Sequence, residues 1–503
     1  MTNIEKYKKE LKNYYDNYIK EKNLDDIYFN EKYFQKFLKI IDFFSNNPLL
    51  SQEEIFNSLK ISNKDNLIFL NEIIRNSTMA QKIITKEGIG KKYWNTIMPF
   101  AKTTNQTLEN QYSFPQRIAL FPGVSCMFFC GFCGRNQTEK YPTTILNDSK
   151  ETFDKLFSHI PNTTALSISG GLEPLTNPKI GEIITSAKKN NIRVPLITNG
   201  YPLTENFIKN NPGIWNLDSL RVSLYGIDKE SYKFCTRVEK SFDIVKKNVI
   251  SFLKLRNIHN KNLKFGFNFI IVPENVNQIK GILDLVKDIN DHVDNGKGVN
   301  FLTLRDDYES VTGKTNKFDK ERKNMFSKMN DQIRRDLINH FKEFKIYKSK
   351  LCPDLYVDYG YSLQALSNNI FDKELVKVEY KNMRNFGFTQ MSVAIDLYGD
   401  VFLYREAGFL NRIGNEKFII GRISKEQNLE DVIKNFLEKK IPINNTYQDE
   451  KFMDSFDHVL TSLVNQAEKD KNFGIPFENG PVLGRTKTIS PELGNSWYTE
   501  KNS

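Results

Sequence analysis

Cys126, Cys130 and Cys133 place three of the chain's five cysteines in one short stretch, CMFFCGFC. Their spacing is C-x3-C-x2-C. On a helix the three thiols would share a face. Gly131 and Gly134 disfavour a helix there, and the stretch follows an apolar run, RIALFPGVS, that reads as a strand. A loop at the C-terminal end of a strand can wrap a small inorganic core and aim three thiolates inward. Two metal readings and a plain structural role stand open on the spacing alone. A structural zinc wants four protein ligands, usually as two pairs. No second pair exists, Cys235 and Cys352 stand alone, and the five histidines are scattered without ligand spacing. A 4Fe–4S core held by three cysteines would leave one iron open to a ligand that is not protein.

The elements that must position this loop alternate. From about Arg117, the short apolar runs RIALFPGVS, ALSISGG, VPLITNG, LRVSLYG, LKFGFNFIIV and VNFLTLR are separated by stretches with helical spacing, such as SFDIVKKNVISFLKLRN. Six strand–helix units predict an α/β fold, a partial (βα)6 TIM-like barrel with a parallel sheet and right-handed crossovers. Functional residues then belong on the rim just after the strands. Residues 1–115 read as a helical N-terminal region, with Ser51 and Glu54 forming a capping-box start. Residues 116–315 form the barrel. Residues 316–503 hold helices and a β-hairpin around YGD in QMSVAIDLYGDVFLYREAGFL, with KFIIGRI as a third strand.

The cysteine spacing, with Phe132 before the third thiol, resembles the radical S-adenosylmethionine (SAM) superfamily. Further segments recur in order at strand ends: SISGGLEPLTNP, ITNGY, RVSLYG, CTRVEKSFDIVKKNV and IIVPENVNQI. The resemblance spans roughly residues 115–310. It implies that Cys126, Cys130 and Cys133 bind one 4Fe–4S cluster, whose open iron takes the amine and carboxylate of SAM. One electron then cleaves SAM to a 5′-deoxyadenosyl radical, which abstracts a substrate hydrogen. It further implies that Ser169, Gly170, Gly171 and Glu173 border the methionine, together with Asn199. Ser223 would bond the ribose, Arg237 would fork onto the carboxylate, the Phe132 backbone would read the adenine edge, and Val272 would pack on the ring. Each has an ordinary counterpart: a tight turn for the glycines, an interior hydroxyl for Ser223, a surface cation for Arg237. One departure matters. The usual Gly-Gly-Glu-Pro is interrupted by Leu172, which leaves open whether Glu173 or the glycine backbone meets the cofactor.

Two polar clusters follow the shared segments. FLTLRDDYES ends the sixth strand with Arg305, Asp306 and Tyr308, and VFLYREAGF carries Tyr404, Arg405 and Glu406. They read either as solvated strand ends or as groups facing a substrate cavity. In the second reading Arg305 anchors phosphate or sugar, and Asp306, Tyr308, Tyr404 and Glu406 manage protons. SGGLEPLTNP, FLTLRDDY and LYREAGF together are similar to the branch of the superfamily that deaminates nucleotide-linked deoxyaminosugars. That likeness implies a nucleotide sugar or aminosugar as substrate, and a lyase or oxidoreductase outcome: loss of ammonia or water, or oxidation. The hairpin lacks the cysteines that hold auxiliary clusters in many members, and Tyr404 stands near where such a ligand is expected, so a single cluster is predicted. A peptide-modifying member, with residues 1–115 gripping a leader, and a non-catalytic zinc protein are the alternatives.

Composition bounds the setting. Hydrophobic content of 39% and aromatic content of 13% suit a folded chain of 503 residues. The charged start, MTNIEKYKKELKNYYDN, has no apolar signal core, and no apolar run approaches a membrane span, so a cytoplasmic protein with no membrane partner is expected. Net charge is +11, spread without a dense basic arm. This suits a lysine-rich surface or an anionic small molecule better than nucleic acid. A reductant such as flavodoxin or ferredoxin is an expected partner.

Overall fold

The computed structural model describes residues 3–21, 23–24, 26–46, 58–62, 103–131, 133–135, 138–161, 164–260, 262–271, 275–293, 298–306, 339–340, 342–359, 387–440, 443, 447–454, 457, 460–461 and 464. The first described elements are α1 (Asn3–Glu21) and α2 (Glu31–Asn46), which pack on each other through Tyr15, Phe34 and Phe37. The expected capping box at Ser51 and Glu54 lies outside the described residues, as does most of 316–386. No described helix is long and apolar enough to cross a membrane.

After the short α3 (Thr104–Leu108), strands and helices alternate. They are β1 (Arg117–Leu120), α4 (Leu146–His159), β2 (Ala165–Ile168), α5 (Ile180–Lys189), β3 (Pro195–Thr198), α6 (Glu205–Asn210), β4 (Ser219–Leu224), α7 (Lys229–Thr236), α8 (Ser241–His259), β5 (Lys264–Ile271), α9 (Gly281–Asp291) and β6 (Phe301–Asp306). β7 (Tyr356–Tyr359), β8 (Ser392–Ile395), β9 (Asp400–Phe402), β10 (Ile419–Arg422) and α10 (Leu429–Lys439) follow. All ten strands share one sheet, ordered β10-β9-β8-β1-β2-β3-β4-β5-β6-β7.

The six predicted parallel strands are adjacent and in chain order, which is the partial barrel read from the alternation. Two more parallel strands extend it: β7 beside β6, and β8 beside β1. The hairpin β8–β9, with β10 as its third strand, is thus the continuation of the barrel's own sheet. The physical reason is an open edge. β1 would otherwise expose a row of unpaired backbone groups, and β8 covers it with a register from Arg117↔Ser392 to Leu120↔Ile395.

Burial explains the strand composition. Every residue of β1 and β4 is buried, as expected for a parallel sheet covered by helices. Alternate residues of one strand then face either the helices or the barrel interior. On the interior side the register sets Ser223 beside Asn268 and Asn268 beside Thr303.

Candidate active site

The cysteine loop leaves β1 and is pinned to the loop after β2 before it reaches the first thiol. Ser125 O accepts from Glu173 N at 2.9 Å, and Thr176 Oγ1 accepts from Val124 N at 3.0 Å and Ser125 N at 3.1 Å. A side chain at Gly123 would strike the Glu173 carbonyl oxygen at 2.7 Å, so the two loops run in backbone contact.

Glu173 then ties this pair of loops to the next. Its Oε1 accepts from Thr198 Oγ1 at 2.5 Å and Leu175 N at 3.0 Å, and its Oε2 accepts from Asn199 N at 2.7 Å. The carboxyl is 4% exposed. Burial pushes it up to about 7, against the pull of those three donors. The inserted Leu172 does not displace it. Instead a side chain at Gly170 would overlap the Leu172 carbonyl oxygen, so the longer segment closes back on its first glycine. The Glu173 carboxylate thus ties its own turn to the β3 end, its backbone N–H holds the cysteine loop, and Glu173 and the two glycines all border the cavity.

That cavity is open to solvent and has a volume of about 240 Å³. Cys126, Cys130 and Cys133 line it, with Ser169, Gly170, Gly171, Glu173, Asn199, Ser223 and Glu406. Asn199 Nδ2 donates to Met127 Sδ at 3.2 Å and to Cys126 Sγ at 3.8 Å, while its Oδ1 accepts from Tyr201 N. Burial raises the Cys126 and Cys130 thiols; at Cys130 the neighbouring Cys133 and Cys126 push the same way, and Arg135 opposes at both. A cationic centre in the cavity would favour the thiolates of Cys126 and Cys130 against that burial.

The structure redistributes several expected residues. Arg237 caps α7 in a left-handed conformation, φ 62°, and lies exposed over the Phe234 ring, outside the cavity. Tyr404 is fully buried between Phe388 and Phe418, with ring centroids 5.7 Å and 5.0 Å away, and does not line the cavity. The structure places it in the packed core just after β9. On β6 the backbone register pairs Arg305 with Ile270 and Asp306 with Ile271. Phe132, Val272 and Tyr308 lie outside the described residues.

Tyr225 and Asn268 line the cavity without having been singled out in the sequence, whereas Arg405 was, and Arg412 pairs with the cavity-lining Glu406. Tyr225 stands in the cavity wall and meets Phe128 edge-on at 6.0 Å. Arg405 donates from Nη2 to Ser169 Oγ at 3.1 Å, is 3.6 Å from Asp454, and lies over Phe121. Arg412 pairs with Glu406 at 3.2 Å and rests its guanidinium on Gly134, beside Cys133. Asn268 lines the same wall from β5. Its signal was visible: a single amide inside the apolar run LKFGFNFIIV.

A model of the radical SAM superfamily matches residues 120–286. The chain is 33% identical over 383 residues, 75% of its length and 76% of the relative's, to the dTDP-4-amino-4,6-dideoxy-D-glucose ammonia-lyase of Streptomyces venezuelae. The chain belongs to the radical SAM superfamily. Among solved structures it is similar to Streptococcus suis SuiB bound to the precursor peptide SuiA, with TM-score 0.44, 16% identity, and coverage of 71% of this chain and 69% of that one. It is also similar to anSMEcpe with bound AdoMet, with TM-score 0.40, 13% identity, and coverage of 77% and 92%. Both are too distant to carry an argument about substrate.

Membership in this superfamily implies SAM and an iron–sulfur cluster, and the residues present fit them. Three sulfur donors line one cavity. Thiolate sulfur is the donor type that holds iron–sulfur clusters. Cys235 is buried and close enough to raise the Cys130 thiol, yet it does not line the cavity; Cys352 is buried with its thiol toward Leu283 O at 3.7 Å.

Proposed function

We propose that this radical SAM enzyme holds one 4Fe–4S cluster on Cys126, Cys130 and Cys133 and takes hydrogen from a nucleotide-linked aminosugar, in a carbon–nitrogen lyase reaction of the ammonia-lyase type. The likeness to the named ammonia-lyase over three quarters of both chains supports this reading most strongly. It extends well beyond the 120–286 segment common to the superfamily. The C-terminal region, which lies outside that segment, contributes Arg405, Glu406 and Phe409 to the same cavity.

When bound and reduced, the cluster and SAM supply one-electron cleavage that ends in loss of hydrogen from a substrate carbon. The chain's own residues orient and exclude. Ser169, Gly170 and Gly171 form the methionine side of the cavity and Ser223 the ribose side. Glu173 holds three loops in register so that the sulfurs and the glycines keep one geometry. Arg305 anchors phosphate or sugar oxygens at the rim, and Glu406, kept in place by Arg412, accepts or returns protons beside the cluster loop. Residues 1–115, 116–315 and 316–503 serve as helical region, barrel and substrate-facing extension. A flavodoxin or ferredoxin delivers the electron in the cytoplasm.

The test is anaerobic reconstitution followed by measurement of 5′-deoxyadenosine and ammonia, with and without dTDP-4-amino-4,6-dideoxy-D-glucose. Stimulation of both products is expected. Iron and sulfide near four per chain are expected for one cluster; they should collapse in Cys130→Ala and persist in Cys235→Ser. No stimulation by any nucleotide sugar would remove the substrate class, and retained SAM cleavage in Cys130→Ala would remove the cluster assignment.

A further inference from the structure

One row of the barrel interior carries polar atoms that folding leaves without partners. Asn268 is 3% exposed, lines the cavity, and its Oδ1 has no hydrogen-bond partner. On the next strand Thr303 is fully buried, and its Oγ1 is likewise unpartnered. The register pairs Ser223 with Asn268 and Asn268 with Thr303, so three polar side chains stand abreast on β4, β5 and β6. The layers on either side are different. Two residues further along the strands, Tyr225 and Ile270 line the cavity. Two residues back, Phe301 lies over the guanidinium of the buried Arg221, and Gly266 leaves room for its ring.

A buried carbonyl and hydroxyl without partners carry a desolvation cost that the protein alone does not recover. Leu or Val would fill the same volume without it. Such groups are retained where a ligand completes them. An amide offers an acceptor and donors side by side, and a hydroxyl offers one of each, so the fitting ligand is a ring bearing adjacent hydroxyl or amine groups. Two rings of that kind enter this cavity under the proposed function: the ribose of SAM and the sugar of the substrate. The placement favours the sugar. The cysteine loop follows β1, the glycine segment β2 and Asn199 β3, while the unpartnered pair continues the row away from them onto β5 and β6.

We propose that Asn268, with Thr303 beside it, binds the sugar ring of the substrate by hydrogen bonds to its hydroxyl or amine groups. This rests on the nucleotide-sugar reading above. It places the ring deep in the barrel, with the phosphates outward at the level of Arg305.

The experiment uses the full chain, reconstituted anaerobically, and titration calorimetry with dTDP-4-amino-4,6-dideoxy-D-glucose, with dTDP and with SAM. Asn268→Leu is expected to weaken the nucleotide sugar about tenfold to a hundredfold, the range of a lost buried hydrogen bond or two. Its effect on dTDP and SAM should be small, and the melting temperature of the ligand-free protein should not fall. Thr303→Val should act in the same direction and serves if the leucine variant does not fold. The proposal is overturned if both variants bind the nucleotide sugar as the wild type does. It is also overturned if the loss falls on SAM, which would assign the row to the ribose, or if melting temperature falls in step with affinity, which would make the row structural. If the wild type binds no nucleotide sugar, the proposed function falls and takes this inference with it. Wild-type binding of the nucleotide sugar with an unaffected leucine variant overturns this inference and leaves the proposed function standing.

Discussion

At the residue scale the site is organised by a carboxylate that touches no reacting atom in the arrangement described. Glu173 accepts three hydrogen bonds from the β3 end and its own turn, and its backbone holds the cysteine loop. Glutamine is nearly isosteric but has one acceptor oxygen. In either orientation its amide would point N–H groups at a donor, the Asn199 N–H or the Thr198 and Leu175 pair. Glu173→Gln should therefore destabilise the fold by about 1–3 kcal/mol in denaturant titration. It should also lower iron retention, since the loop carrying Cys126 is pinned through the same residue. Undiminished stability would mean that the clasp is not formed in solution. Much of this was legible: the Gly-Gly-Leu-Glu-Pro segment announced itself. What could not be read was the direction in which Glu173 turns, because its donors sit 25 and 26 positions away on another strand.

At the element scale the β8–β9 hairpin shows how one acidic residue shapes a turn under the cavity. Asp396 Oδ1 accepts from Tyr398 N at 3.0 Å and Asp400 N at 2.9 Å, and Oδ2 accepts from Tyr141 OH at 3.0 Å. Gly399 completes the turn at φ +83°, a conformation that favours glycine. Burial, with the nearby Asp400, pushes the Asp396 carboxyl up to about 7. The folded state therefore holds its proton more tightly than the unfolded state, whose aspartate titrates near ~3.9. This contribution to stability is full below about pH 4 and is lost as pH rises through about 7. Asp396→Asn keeps the acceptor for the two N–H groups and can donate to the tyrosine oxygen. Its unfolding free energy should fall less than that of the wild type between those two pH values. Parallel pH–stability curves for the two proteins would contradict the assignment.

At the scale of the whole molecule the C-terminal segment is bolted beneath the barrel's first strand. Arg117 on β1 pairs with Asp454 at 3.2 Å, with side chains 4% and 13% exposed. Asp454 also faces Arg405, and Asp457 accepts from the Arg405 backbone N–H at 2.8 Å. One acidic pair thus links the foot of the cysteine-bearing strand to the arginine that reaches Ser169. Asp454→Ala removes a carboxylate shared by the buried Arg117 and the half-buried Arg405 and should cost about 3–5 kcal/mol in equilibrium unfolding. It should also weaken SAM binding through a displaced Arg405. A change below about 1 kcal/mol would place the pair among ordinary surface ion pairs.

The sequence by itself determined the kind of chemistry and the order of the strands. Thiol spacing, glycine-rich strand ends and the alternation of apolar runs are local, and local patterns survive without coordinates. It also placed Ser169, Gly170, Gly171, Asn199, Ser223 and Glu406 among residues that do line one cavity. Only the tertiary structure decided which polar residues share that cavity. Arg237 is adjacent in sequence to a helix end that turns it outward, and Tyr404 follows a strand whose pleat and turn bury it. Asn268 and Arg405 face the thiols from 142 and 279 residues beyond Cys126, brought there by parallel pairing and by β8 closing the open edge of β1. Spacing along the chain encodes which face of its own strand a residue takes. Which other strand that face meets depends on the packing of the entire sheet.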